Sequence, residues 1–233
     1  MDDHASQKIE QASMADATQA LALQCQTQGH LWYAFFDQAA LTLTQRKVIS
    51  AAVLLFDQKG FFNTSVADLV AVSGVSSGSI YHGFKDKQAI AECLMQTLLT
   101  QIEKSLQTVV VAHDTGWARY QHLVAWMMQT TQTYPAVMRF VLHARHQEFL
   151  PGQPPVCAQQ PFKTLRRVLS EAQDSGEIAQ RPLMQAAALA YGPVFRWMQF
   201  YLDGLVDSKA LSDWTDLIHQ AWWLLQTPPL GES

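Results

Sequence analysis

The sequence predicts an all-α protein. Apolar residues recur at spacings of three and four through most of its 233 residues, and no long alternating run of Val, Ile and Thr marks a strand. Charged residues make up 15% of the chain, against about 25% in an average globular domain. Much helix surface is therefore expected to be buried, part of it between subunits. The length allows one large domain or two smaller ones with a real core.

Residues 1–30 are rich in Ala, Gln, Ser and Thr and read as a loose helix or as disorder. The stretch 30–43 differs: Trp32, Tyr33, Phe35, Phe36 and Leu41 are too apolar to leave in water, so it is expected to dock on the body or on a partner subunit. Residues 1–43 are set apart as an extension of unknown role. Thr44 is read as the cap of the next helix, in which Val48, Ala51, Ala52, Leu55 and Phe56 recur at helical spacing until Gly60. Thr64 or Ser65 caps a short helix with Ala67, Leu69, Val70 and Val72 as its apolar stripe, and Gly74 ends it in a left-handed turn. Val75 then enters the core, Ser76 caps a second short helix, and Ile80 and Phe84 form its inward pair. A long helix is predicted from Lys85 to about Val111, with Ile90, Leu94, Leu98 and Ile102 at steps of four, followed by a break at 113–116. Further helices are predicted near 117–133, 136–149, 158–175, 183–203 and 210–226, separated by Pro and Gly; Gly192 and Pro193 are expected to kink the fourth. The domains expected are 44–90 and 91–230.

The stretch 66–87 carries the functional signal. Its second short helix presents Ser77, Gly78 and Ser79 outward, and small side chains let a helix approach closely, which a major groove only ~12 Å wide demands. The net charge of −4 runs against a nucleic-acid partner, but it is unevenly spread. In 1–43, Lys8 faces Asp2, Asp3, Glu10, Asp16 and Asp37; in 44–90, Arg46, Lys47, Lys59, Lys85 and Lys87 outweigh Asp57, Asp68 and Asp86. Affinity is thus expected to rest on a dimer and on neutral hydrogen-bond donors as much as on charge.

Cys25, Cys93 and Cys157 have no metal-like spacing, and no disulfide framework is expected. His143 and His146 with Glu148 share a helix face but lack a third or fourth ligand at any identifiable spacing, so no metal or other cofactor is expected. No nucleophile elbow, phosphate loop or paired-carboxylate motif suggests an enzyme. The acidic N-terminus and the lack of an apolar run near ~18 residues predict a cytoplasmic protein with no membrane partner. Aromatics crowd the second half. Trp117, Tyr120, Trp126, Phe140, Tyr191 and Phe195 are taken as candidate lining of an apolar ligand cavity. Ala186, Ala187, Ala188 and Ala190 permit close helix approach, and Trp214, Leu217, Trp222 and Leu225 supply bulk for a dimer bundle.

Residues 45–90 resemble the DNA-binding domain of the tetracycline-repressor (TetR) family of transcriptional regulators. The matching positions are Thr64, Gly74-Val75, Tyr81-His82-Gly83-Phe84 and Lys87. The resemblance implies a three-helix DNA-binding bundle, a variable helical domain that binds a small-molecule effector, and a homodimer built from the last two long helices. It places Thr64, Ser76, Ser77, Ser79, Tyr81, His82 and Lys87 toward double-stranded DNA. Ser77 stands where family members often carry Lys or Arg, which keeps a second reading in play: a helical protein-interaction module that has lost DNA binding.

Overall fold

The computed structural model describes residues 19–23, 41–143 and 146–228, and among them every regular element is helical. The expectations for Trp32, Tyr33, Phe35 and Phe36 lie outside the described residues, as does most of 1–43. The helices are α1 (Leu43–Asn63), α2 (Val66–Ser73), α3 (Ser77–Gly83), α4 (Lys87–Val111), α5 (Gly116–Thr133), α6 (Pro135–His143), α7 (His146–Phe149), α8 (Gln160–Asp174), α9 (Leu183–Leu202), α10 (Ser208–Leu211) and α11 (Thr215–Gln226), with a 3-10 turn at Val156–Ala158.

The departures from expectation are local and have local causes. Thr42, not Thr44, caps α1: its hydroxyl accepts from the Gln45 amide at 3.2 Å while Gln45 Oε1 accepts from the Thr42 amide at 3.0 Å. A reciprocal box needs an acceptor three residues after the cap, and counting from Thr44 that position holds Lys47. The stretch 210–226 divides because the Asp207 carboxylate caps a separate short helix through the Ala210 amide at 2.8 Å. α9 runs through Gly192 and Pro193 as one helix. Both residues are exposed, so water can take the Leu189 carbonyl that Pro193 leaves without a donor.

The chain forms two units, one within Met1–Gln101 and Ala144–Gln153, the other within Ile102–His143 and Pro154–Ser233. In the first, α1, α2 and α3 pack on one another, burying Ile49, Ala52 and Leu55 of α1 with Leu69, Val72 and Ile80. Ile90 and Leu94 of α4 are buried as well, as their four-residue step predicts. In the second, α9 packs most extensively on α11 and also on α8, with Ala186 and Ala190 fully buried.

Tyr120 sits at the centre of that second core. Its ring lies 5.4 Å from Trp222 and edge-on to Tyr191 at 5.5 Å, and its hydroxyl donates to the Ala190 carbonyl at 2.7 Å. The Tyr191 hydroxyl donates to the Leu165 carbonyl at 3.3 Å. Burial pushes both phenols up from their ordinary values, with the neighbouring Tyr120 adding to the effect on Tyr191, so both stay neutral donors. Tyr120→Phe removes a buried donor and leaves its carbonyl partner short. The expected cost is about 1–2 kcal/mol, read as a lower urea midpoint at unchanged slope in tryptophan fluorescence.

Candidate nucleic-acid interface and effector cleft

Two short helices and their turn are fixed by their own hydroxyls. Ser65 caps α2, its hydroxyl accepting from the Asp68 amide at 3.1 Å while Asp68 Oδ2 accepts from the Ser65 amide at 2.8 Å. Gly74 closes α2 at φ 67°, ψ 14°, the left-handed region where a side chain is disfavoured, and Val75 is buried directly after it. Ser76 caps α3 through the Ser79 amide at 3.2 Å, and the two hydroxyls lie 2.9 Å apart. Ile80 and Phe84 face the core as expected. On the outer side Ser76, Ser77, Gly78, Ser79, Tyr81, His82 and Gly83 are all exposed, and Tyr81 holds 57% of its surface in water. A Cβ at Gly78 would meet nothing within 4 Å, so this face is open as well as small.

The orientation of α2 and α3 is set at the end of α1. Gly60 takes φ 76°, ψ 161°, which interrupts α1 and turns the following carbonyls out of the helical ladder. Each finds a donor. Thr64 Oγ1 donates to Gly60 O at 2.8 Å, and Asn63 Nδ2 donates to Lys59 O at 3.0 Å. Lys87, from the start of α4, donates to the carbonyls of Phe61 at 2.7 Å, Phe62 at 3.3 Å and Thr64 at 2.7 Å, and its ammonium lies 4.4 Å from the centre of the Phe61 ring. Phe61 is in turn stacked on Phe149 of α7, centroids 4.6 Å apart and planes 13° from parallel.

Two of the residues expected to face DNA are therefore turned inward. The Thr64 side chain is buried at 1% exposure and bonded to α1, leaving Ser65 as the exposed hydroxyl at this turn. Lys87 is occupied by three carbonyls, because an ammonium offers three donors and the broken helix end offers that many acceptors. Both side chains are bonded to carbonyls at the end of α1 or just after it. Lys85, at the same rim, is exposed.

Lys59 and Asp68 join the two helices by an ion pair at 2.7 Å. Burial alone pushes the Asp68 carboxyl up, but the Lys59 hydrogen bond, the two bonds with Ser65 and the Lys59 charge outweigh it, and the net shift is downward. Burial also lowers the Lys87 ammonium from its ordinary value, against the pull of the Asp68 charge.

The second unit holds an open cleft of about 620 Å³ lined by Trp117, Glu177, His219, Trp222, Trp223 and Gln226. Its floor is the start of α5, where every unpaired amide is satisfied. Glu177 accepts from the Gly116 amide at 2.8 Å and the Trp117 amide at 3.0 Å; Thr115 accepts from Ala118 through its hydroxyl and from Arg119 through its carbonyl. Gly116 is required here, since a Cβ would lie 2.6 Å from that of Ala172 on α8. Of the six aromatics expected to line a cavity, Trp117 lines this cleft. Tyr120, Tyr191 and Phe140 are core, at 0–2% exposure, and Trp126 and Phe195 are half-buried away from the cleft lining. Trp222 and Leu225, read as dimer bulk, are buried within their own chain. Glu177, His219, Trp223 and Gln226 escaped notice because no local pattern links a carboxylate to amides 60 residues away.

Comparison with known proteins places these observations. Residues 48–94 match the family model of bacterial regulatory proteins of the tetR family. Over 177 residues the chain is 26% identical to the HTH-type transcriptional regulator BetI of Escherichia coli O139:H28 (strain E24377A / ETEC), covering 73% of this chain and 84% of that protein. Its fold is similar to that of the fatty acid degradation regulator FadR from Bacillus halodurans, with a TM-score of 0.67, 16% identity, and coverage of 80% of this chain and 96% of that one. It is also similar to transcriptional regulator FadR from Bacillus subtilis in complex with stearoyl-CoA, with a TM-score of 0.60, 16% identity, and coverage of 78% and 97%.

The Asp68 geometry predicts an acid limb of known sign. A carboxyl held below its ordinary value of about 3.9 contributes stability that is fully present above that pH and is lost as pH falls through the folded value. Asp68→Asn should lower stability at pH 7 and leave a shallower loss between about pH 5 and 2, measured by urea melts across that range.

Proposed function

We propose that this chain, which belongs to the tetR family of bacterial transcriptional regulators, is a repressor that binds a pseudo-palindromic operator as a homodimer in the cytoplasm and is released by a small apolar or amphipathic effector. The observation that carries the reading is the outer face of α3, wholly exposed and built of Ser76, Ser77, Gly78, Ser79, Tyr81 and His82 over an Ile80–Phe84 inner pair. The serines and His82 offer hydrogen bonds to base edges and phosphates, and the Tyr81 hydroxyl is a backbone-positioning donor. Lys85 supplies the charge at the rim. Two such helices reach successive major grooves when held about 34–36 Å apart. An effector that prefers the state with the wrong spacing empties the operator by population shift.

A dimer face is available on α9, where Met184, Ala188 and Gly192 are exposed at steps of four and Met184 keeps 63% of its surface in water. Leu224 on α11 is exposed as well. Small residues at this spacing let a symmetry-related helix approach closely. The competing reading, a protein-interaction module that has lost DNA binding, draws on Ser77 and on the inward turn of Lys87.

Gel-shift titration against genomic fragments separates the two. The repressor reading expects saturable, sequence-selective binding that weakens steeply with salt, and no selective binding at any salt concentration overturns it. Gly78→Ala is the sharpest variant: it adds a methyl in open space and a better helix former, so stability should hold or rise by up to about 1 kcal/mol while operator affinity falls. Lys85→Ala should reduce the salt slope by about one unit with little change in sequence preference.

A further inference from the structure

We propose that the acidic residues 1–18 bind the polar face of α3 as an intramolecular competitor of DNA. The segment carries Asp2, Asp3, Glu10 and Asp16 against Lys8. α3 itself holds no carboxylate, and its outer side offers the hydroxyls of Ser76, Ser77 and Ser79, the Tyr81 phenol and the His82 ring, with Lys85 exposed at the rim. The acids that flank α3 in the chain are engaged elsewhere. Asp68 is held by Lys59 and by the Ser65 amide, and Asp86 Oδ1 accepts from the Ala89 amide at 2.8 Å. Donors that suit phosphate oxygens also suit carboxylate oxygens, because both are anionic acceptors.

The fold brings the extension to that face. The chain enters α1 through the Thr42 cap, and Arg46 Nε donates to the incoming Leu41 carbonyl at 3.3 Å. Gln45, which closes the cap, lies against the C-terminal end of α3: a Cβ on Gly83 would meet its Cγ at 3.8 Å. The extension therefore joins the bundle beside the reading helix. Within it, residues 19–23 are helical, Leu21 is buried at 1% exposure, and the stretch belongs to the same unit as α1, α2 and α3. Packed helices lie about 8–10 Å apart and an extended chain covers about 3.3–3.6 Å per residue, so the 41 residues before Thr42 reach α3 with length to spare. Charge then decides the role. Phosphates repel a carboxylate-rich segment, so residues 1–18 gain nothing on the duplex, whereas a tether holds them near α3 at an effective concentration on the order of millimolar. That this contact keeps DNA off rests on the repressor reading; the contact itself does not.

The test compares the full-length protein with a variant combining Asp2→Asn, Asp3→Asn, Glu10→Gln and Asp16→Asn, which keeps side-chain size and removes the charge. Hydrogen exchange read by mass spectrometry without DNA should be several-fold faster over 76–84 in the variant, with exchange in α9 unchanged. Anisotropy of a fluorescein-labelled duplex of random sequence, about 30 base pairs long, should show the variant binding about tenfold more tightly at about 50 mM salt, and the gap should narrow at about 200 mM as screening shortens the reach of each charge. Unchanged exchange over 76–84 overturns the proposal even where DNA binding tightens, since net charge acting at a distance does that without contact. Equal or weaker duplex binding by the variant also overturns it, the weaker result marking residues 1–18 as an arm that holds DNA. Faster exchange in a variant that, like its parent, binds no duplex refutes the repressor reading alone, and duplex binding with no difference in either measurement refutes this contact alone.

Discussion

The placement of α2 and α3 depends on how the end of α1 is satisfied. Once Gly60 breaks the helix, the carbonyls that follow must find donors, and a buried carbonyl left without one costs about 1–3 kcal/mol. Lys87 supplies most of them, reaching 26 residues back along the chain to Phe61. That one side chain ties the end of α1 to the start of α4, and α2 and α3 lie in the chain between them. The Lys59–Asp68 pair and the Ser65 box then fix the first turn of α2, so that Gly74 and Ser76 deliver α3 with its polar face outward.

This arrangement is compatible with the proposed DNA-reading surface in a chain with a net charge of −4. Two of the lysines that raise the local charge, Lys59 and Lys87, are spent on internal partners, and Lys85 remains exposed at the rim. The surface left over is small, hydroxylated and open, suited to close approach rather than to long-range attraction. In the proposed homodimer, affinity leans on symmetry, since two modest contacts held at the correct spacing add where one would fail. The Phe61–Phe149 stack gives the same node a further connection, because Phe149 comes from the chain segment between α6 and α8.

The second unit applies the same accounting to a different end. Every free amide at the start of α5 is met by Glu177 or Thr115, and Arg119 closes the break before it by donating to the carbonyls of Val110 and His113 while pairing with Glu171 at 2.7 Å. Tyr120 fills the space behind. The cleft that remains is thus edged by groups whose backbone obligations are already met, leaving aromatic faces and one carboxylate charge to define what fits there.

The sequence by itself determined the helical class, the near positions of the helices, and the order of cap, turn and outward face from Ser65 to Phe84. These rest on interactions within a few residues of one another: a hydroxyl three positions from its amide, a glycine at a left-handed turn, an inward pair four apart. It also carried the family likeness, through Gly74-Val75 and Tyr81-x-x-Phe84. Only the tertiary structure decided which polar groups are spent inside. Thr64 and Lys87 look outward-facing in the sequence, and their carbonyl partners become visible only when α1 is broken and α4 is laid against it. The cleft belongs to the same class. Its carboxylate caps a helix 60 residues upstream, and whether Trp117 or Tyr120 faces a ligand depends on packing among α5, α9 and α11 that no local spacing encodes.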